Sequence, residues 1–387
     1  MSMKKKKELE LYVHIPFCVR KCAYCDFLSG PASEETKQAY VEALLQEIES
    51  HETAYQGYEV SSIFLGGGTP SLLTPKQSCD ILRGLKKHFH VRKDAEITME
   101  VNPGTVTEEK AKAWKQAGIN RISIGLQSVN DEELKMLGRI HTYDAFSRTY
   151  EMLRKNGFEN LNVDLISAIP GQTVESWRKT LQTIAELQPE HIAAYSLIVE
   201  EGTPFFEKLE EGKNNDLPSL PDEDAERTIY EETEQLLRTY GYERYEISNY
   251  ARQGYACKHN EGYWRRIEYL GIGLGASSLI QQKRFHNATD LNAYLQAIRD
   301  GSEYREDVEE LTQKDEMEEF MFLGLRMMEG VSKKDFFHYF QVEMDQVYGD
   351  VLQKLEDMQL LKIEGNQVRL TKRGIDISNY VFEQFLL

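Results

Sequence analysis

Cys18, Cys22 and Cys25 fall within eight residues, in the run CVRKCAYC. Thiolates at such short spacing favour soft metals, so zinc and iron–sulfur clusters are the candidates. A structural zinc site normally takes four protein ligands, as does an ordinary [4Fe-4S] cluster. Three cysteines leave one iron open, and the amino and carboxylate groups of S-adenosylmethionine can fill that position beside a reducing cluster. The competing assignment is zinc, with His14 or Asp26 as fourth ligand. The remaining cysteines, Cys79 and Cys257, lie far away in sequence and read as plain thiols, Cys79 on a helix.

Positioning the thiols falls to a repeating β-α pattern from Leu9 to about Ile198. ELYVHIPF, VSSIFLGG, EITMEV, RISIGLQ, LNVDLISAI and HIAAYSLI read as strands. SEETKQAYVEALLQEIES and TVESWRKTLQTIAEL read as amphipathic helices between them. Six such units imply an α/β fold with a parallel sheet and right-handed crossovers, closer to a partial (β/α)6 barrel than to a doubly wound sheet. Breakers follow the second, third and fifth strands: Gly66-Gly67-Gly68-Thr69-Pro70, Asn102-Pro103-Gly104 and Pro170-Gly171. Each is a turn at least, and that rim of a β/α barrel is where ligands bind.

After Leu220 come a long helix, PDEDAERTIYEETEQLLRTYG, the strand-like YERYEISNYA and the glycine-rich YLGIGLGASSLI. The last part is mainly helical, and its order helix, strand, Gly-Asn turn, strand, helix is that of a winged helix. The expected divisions are a barrel over 1–220, an α+β extension over 221–308 and a helical, winged-helix-like domain over 309–387.

Composition narrows the function classes. A net charge of −18 disfavours nucleic acid as partner, and the winged-helix-like end is not strongly basic. Glu8 and Glu10 interrupt the apolar run that a signal peptide needs after the lysines of MSMKKKK, so export is not expected and the expected location is cytoplasmic. No stretch of about 18 apolar residues is present to span a membrane. The acidic stretch Glu200 to Glu226 reads as a solvated loop with a short helix.

With these motifs in place, the chain resembles the radical S-adenosylmethionine (SAM) enzymes. The run YVHIPFCVRKCAYCDF, then FLGGGTPS, EVNP, RISIGLQS, LGRIHT and DLISAIPGQT, is similar in content and order to the HemN-like branch. That branch contains the oxygen-independent coproporphyrinogen III dehydrogenases and the HemW-type heme chaperones. The resemblance implies that Tyr12, Gly67, Gly68, Thr69 and Glu100 contact SAM, as does Tyr24 beside the cluster. It also implies that Gln127, Arg139 and Asp164 match positions holding a second SAM in the dehydrogenases. Read alone, Glu100 is a strand-end charge, and Arg139 is equally a partner for Asp131 or Glu132.

Two departures separate this chain from the dehydrogenases. Phe27 stands where they carry a fourth cysteine, and only 17 residues precede Cys18. The segment His259-Asn260-Glu261-Gly262-Tyr263-Trp264 has the HNxxYW form that the resemblance links to heme, with His259 as candidate ligand and Tyr263 and Trp264 as packing for the porphyrin. Without the family, such a histidine reads as a hydrogen-bonded structural residue. The expectation is therefore a heme chaperone with a [4Fe-4S] cluster, SAM and heme as cofactors. Its implied partners are heme-acceptor proteins of the respiratory chain and a second copy of itself, and transient contact with a membrane surface stays open. The alternative is coproporphyrinogen dehydrogenase activity.

Overall fold

The computed structural model describes residues 6–210 and 218–387. Met1–Lys5, part of the N-terminal run read above, and residues 211–217 of the acidic stretch lie outside the described residues. No helix among the described residues is long and apolar enough to cross a membrane.

The expected β-α alternation is present. β1 (Lys7–Ile15), α1 (Glu34–Ser50), β2 (Tyr58–Gly67), α2 (Pro75–His88), β3 (Val91–Val101), α3 (Glu108–Ala117) and β4 (Arg121–Gln127) follow one another. Next come α4 (Asp131–Met136), α5 (Tyr143–Lys155), β5 (Leu161–Ser167), α6 (Val174–Glu186) and β6 (His191–Ser196). Strands β1 to β6 pair in parallel, each with the next. Ser33, Thr74, Thr107, Asn130, Thr142 and Thr173 cap the first turns of α1 to α6. Each such cap contributes about 1 kcal/mol and fixes where a rim loop ends.

Strand alternation creates the interior. Leu9, Leu11, Val13 and Ile15 of β1 are fully buried beneath the helices, as are Ile122, Ile124 and Leu126 of β4. The opposite faces carry polar groups: Glu10, Tyr12 and His14; Glu96, Thr98 and Glu100; Arg121 and Ser123; Asn162 and Asp164. With period-two side chains, a one-residue slip would exchange these sets, so the apolar face fixes the register of the polar one.

The rest of the chain wraps this array. After α7 (Pro204–Glu210) and α8 (Glu223–Thr239) come β7 (Glu243–Arg244), β8 (Asn249–Ala251) and α9 (Lys258–Trp264). β9 (Tyr269–Ile272), β10 (Ser277–Ile280), β11 (Lys283–Asn287), α10 (Leu291–Asp300) and β12 (Arg305–Glu310) follow. β8 pairs antiparallel with β6, whereas β9 pairs parallel with β1, so both edges of the six-stranded array are covered and the sheet reaches twelve strands. Residues of this extension, including Ile229, Tyr250, Ile272 and Tyr294, share one apolar core with the barrel.

The last part has its own core, with Met321, Phe336, Tyr348, Leu352 and Phe385 fully or almost fully buried. It comprises α11 (Gln313–Gly324), β13 (Val331–Ser332), α12 (Lys333–Phe340), α13 (Met344–Asp357), β14 (Leu361–Glu364), β15 (Gln367–Leu370), α14 (Lys372–Asp376) and α15 (Ser378–Glu383). The sequence β13, α12, α13 and the β14–β15 hairpin has the winged-helix order.

A buried carboxylate fastens the extension to the barrel. Glu47 of α1 accepts hydrogen bonds from the Gly273 N–H (2.8 Å), Asn287 Nδ2 (2.8 Å) and the Tyr294 hydroxyl (2.5 Å). Removing it strands several buried donors, each costing about 1–3 kcal/mol. Glu47→Ala should therefore lower the urea midpoint of the cluster-free protein by the equivalent of about 3 kcal/mol or more. A variant with an unchanged midpoint would show that the extension is held by its strand pairing alone.

Candidate functional site

Cys18, Cys22 and Cys25 are free and partly exposed in the loop that leaves β1. The loop is pinned at its base, where the Cys18 N–H bonds Gly30 O and the Gly30 N–H bonds Pro16 O, each at 3.0 Å. Across its middle, the Ala23 N–H bonds Leu137 O and Arg20 bonds Gly138 O. Tyr24, expected beside SAM, packs into an apolar cluster with Leu137, Ile166, Ile169 and Phe205, and so anchors the loop.

The glycine run after β2 lies directly beneath. Gly68 N–H donates to Ile15 O (2.9 Å) and Thr69 N–H to Phe17 O (2.7 Å). A Cβ on Gly68 would meet Phe17 O at 2.7 Å, and Gly67, at φ +106°, would drive one into the His14 ring. The glycines were expected to admit a ligand; their first use here is to let two backbones touch. Thr69 Oγ1 stands 3.5 Å from Cys18 Sγ and accepts from Asn102 Nδ2 at 2.8 Å.

Asn102 continues that chain, because its Oδ1 accepts from Arg139 Nη2 at 2.7 Å. Arg139 Nη1 in turn donates to Cys22 Sγ at 3.4 Å, and Nη2 also reaches Gly125 O. The suggested ion pair of Arg139 with Asp131 or Glu132 does not form: Asp131 caps the Tyr143 N–H and Glu132 pairs with Lys135. Gly125 makes room for Arg139, since a Cβ there would stand 3.0 Å from both Nη2 and Asn102 Oδ1. Asn102 was read only as part of a turn; the side chain's job becomes visible once β3 and β4 are adjacent. Gln127, at the end of β4, takes a left-handed backbone (φ 79°) beside a bulge and turns its amide toward the same place.

Beside the loop opens a cavity of about 350 Å3, within the usual range for small-molecule sites. Tyr12, Gly67, Glu100 and Asp164 line it, and so does Phe27, on the side of the cysteine loop. Tyr195 and Asn249 also reach it, from the edge that the sequence did not mark. Glu100 accepts the Gly67 N–H at 3.1 Å. Burial, reinforced by Asp164, pushes the Glu100 pKa up to about 8. Asp164 is held by Ser123 Oγ (3.0 Å) and Asn162 Nδ2 (2.7 Å), and burial raises its pKa too. The cavity thus brings two buried carboxyl groups and the Arg121 guanidinium to one wall.

His259 sits at the bottom of this cavity, 1% exposed, on α9. Its Nδ1 is 2.7 Å from Ser62 Oγ, its Nε2 is 3.0 Å from the Tyr263 hydroxyl, and its ring stacks on Phe64. Burial, followed by the charge of Arg121, lowers its pKa to about 3. Both ring nitrogens are therefore engaged, and the expected axial ligand to heme iron is a satisfied structural histidine in this conformation. Tyr263 packs edge-on against His259 and Tyr269, and Arg326 covers Trp264, so the two aromatics expected to flank a porphyrin face protein groups. Glu96 holds the start of α9 through the N–H groups of Lys258 and His259.

The donor set fits a cluster better than a zinc ion. His14, the suggested fourth zinc ligand, is committed through Nδ1 to the Tyr12 hydroxyl (3.0 Å) and through Nε2 to Leu28 O (2.9 Å). Among the described residues no three Cys, His, Asp or Glu groups stand close enough to hold one metal ion. Asp26 is exposed.

Comparison with known proteins adds to this geometry. Residues 12–184 match the Radical SAM superfamily, and residues 311–377 match the HemN C-terminal domain. The chain is 37% identical to the heme chaperone HemW of Lactococcus lactis subsp. lactis, over 99% of this chain and 98% of that one. It is 35% identical to the HemW of Bacillus subtilis, over 97% and 98%, and 43% identical to that of Escherichia coli over 71% of each. Among solved structures, the radical SAM coproporphyrinogen III oxidase HemN of Escherichia coli has the same fold, with TM-score 0.85 and 24% identity over 98% of this chain and 90% of that one.

Two expectations test the site. A carboxyl whose folded pKa exceeds its unfolded value favours the fold most when protonated, and that advantage is lost as pH rises from the unfolded value of about 4.5 toward about 8. Glu100→Gln should match the wild-type melting temperature near pH 4.5 and exceed it increasingly up to pH 8, while weakening SAM binding; parallel melting curves would contradict the buried-acid assignment. Hydrogen bonds to cluster sulfurs raise reduction potentials. Arg139→Leu should therefore shift the midpoint of the reconstituted cluster to more negative values in an EPR-monitored titration, and an unchanged midpoint would remove the Arg139–Cys22 contact from the cluster's surroundings.

Proposed function

This chain belongs to the HemW family of radical SAM proteins, and from that premise we propose that it is a heme chaperone, binding heme and handing it to acceptor proteins. The observation that carries this reading is the similarity to HemW proteins over nearly the full length, joined to Phe27 at the position where the dehydrogenases have a fourth cysteine.

In this reading Cys18, Cys22 and Cys25 hold a [4Fe-4S] cluster. Tyr12, Gly67, Gly68, Thr69 and Glu100 would hold one SAM beside it. When bound, the cluster supplies an electron for reductive cleavage of the sulfonium. The chain's own residues do the rest. Thr69 and Arg139 orient two thiolates, Glu100 and Asp164 bring carboxyl groups to the cavity beside Arg121, and Tyr12 and Phe64 wall one side. A second SAM at Gln127, Arg139 and Asp164 finds less support, since both terminal nitrogens of Arg139 are already bonded.

Hand-over requires a surface that another protein can meet. Val19, Phe27, Ile140, Tyr195 and Ile198 are 40–67% exposed at the strand ends around the cysteine loop, forming an apolar rim suited to such contact. Respiratory-chain proteins are the acceptors that the resemblance implies.

The decisive comparison uses cluster-loaded protein without oxygen. Stable heme binding and transfer to an apo-acceptor, with no protoporphyrinogen formed from coproporphyrinogen III, SAM and reductant, is the expected result. Efficient decarboxylation without heme transfer would overturn the assignment.

A further inference from the structure

The barrel cavity contains one group that neither the cysteine loop nor the SAM contacts use. Arg121 is the first residue of β4, two before Ser123 on the inward face, and it lines the cavity while only 2% exposed. Strands β1 to β6 run parallel and the cysteine loop leaves the C-terminal end of β1, so Arg121 enters from the opposite end. A guanidinium offers five N–H donors. Among the described residues no hydrogen bond from Arg121 is formed, and its Nε is buried without a partner.

The neighbouring carboxylates are committed elsewhere. Glu96 accepts from the N–H groups of Lys258 and His259 and from the Cys257 thiol, and Asp164 accepts from Ser123 and Asn162. Both act on Arg121 through space, by charge and not by a hydrogen bond. The cation is thus balanced at a distance while its donors are left over, and buried donors without acceptors are costly, most of all on a charged group. A planar anion satisfies such a fork, since Arg grips a carboxylate through two parallel N–H···O bonds. One cation beside Glu96 and Asp164 suits a singly charged carboxylate, whereas a doubly charged phosphate would face both acids. Phe64 and Tyr263 add ring surface to the same cavity, and Phe27, 61% exposed, stands where it meets solvent.

We propose that Arg121 receives the carboxylate of an organic acid at the floor of the barrel cavity, beyond the SAM that Tyr12, Gly67 and Glu100 would hold. The acid is a small molecule taken whole or the propionate arm of a larger one, heme included. Only that last source rests on the heme-carrier reading; the subsite itself goes beyond it and gives the barrel a ligand of its own.

The test uses full-length, cluster-loaded protein with SAM, without oxygen. Propionate is titrated against its neutral counterpart propionamide by saturation-transfer NMR, and heme against its dimethyl ester by absorbance. Propionate should bind about tenfold more tightly than propionamide, the scale of one charge-assisted hydrogen-bonded contact. Arg121→Gln should erase that preference while keeping the wild-type cluster EPR signal and SAM affinity. If heme supplies the carboxylate, its ester should bind about tenfold more weakly than heme in the wild type but not in the variant, and propionate should compete with heme. Equal binding of heme and ester, with the propionate preference intact, identifies a small acid instead. A wild type that binds propionate but no heme would remove the carrier function and keep the subsite. No preference for propionate over propionamide in the wild type, a result that needs no variant, would overturn the subsite. So would an Arg121→Gln protein, folded by circular dichroism, that retains the preference.

Discussion

Two of the three thiols are tied together by side chains from the segments that follow β2, β3 and α4. Cys18 Sγ touches Thr69 Oγ1, Thr69 accepts from Asn102, Asn102 accepts from Arg139, and Arg139 donates to Cys22 Sγ. No single link is strong, but each orders the next, and together they set the separation of these two thiols. The run depends on Gly68, which brings β2's exit into backbone contact with Ile15 and Phe17. Any side chain at Gly68 would lift the glycine loop, carry Thr69 away from Cys18 and open the strap at its first link.

The interior beside that strap is an electrostatic arrangement that the fold tolerates rather than one that stabilises it. Glu10 and Glu100 are both held well above ordinary carboxyl pKa values by burial, and Glu10 Oε2 has no hydrogen-bond partner. The apolar outer faces of β1 to β6 supply the stability that such groups cost. Below the cavity, α9 is fitted closely: Glu96 meets its first N–H groups, and Gly262 packs so near the Glu10 carboxyl that a Cβ would collide with it. The HNxxYW segment thus acts as a plug for the barrel, which gives its histidine and tyrosine a physical role independent of heme.

How much of this was legible beforehand follows from the range of each interaction. RISIGLQ reads as a strand and β4 spans Arg121–Gln127, because apolar alternation is local and its cause is burial of one face. The cysteine spacing was equally local. Asn102 was opaque because its partners lie 33 and 37 residues away and its neighbours Pro103 and Gly104 advertise only a turn. His259 was harder still, since Ser62, which occupies Nδ1, is 197 residues distant. Likewise, YLGIGLGASSLI suggested a glycine-rich segment, but nothing local says that β9 will pair with β1 and close one edge of the array.

The most direct measurement of the central claim is the iron and acid-labile sulfide content of Asn102→Leu after anaerobic reconstitution, followed by Mössbauer spectroscopy. If the strap orders the thiolates, this variant should keep the wild-type circular dichroism spectrum and melting temperature yet load markedly less [4Fe-4S] cluster and lose it faster on exposure to chelator. A variant that loads the full complement and retains it as the wild type does would contradict the account.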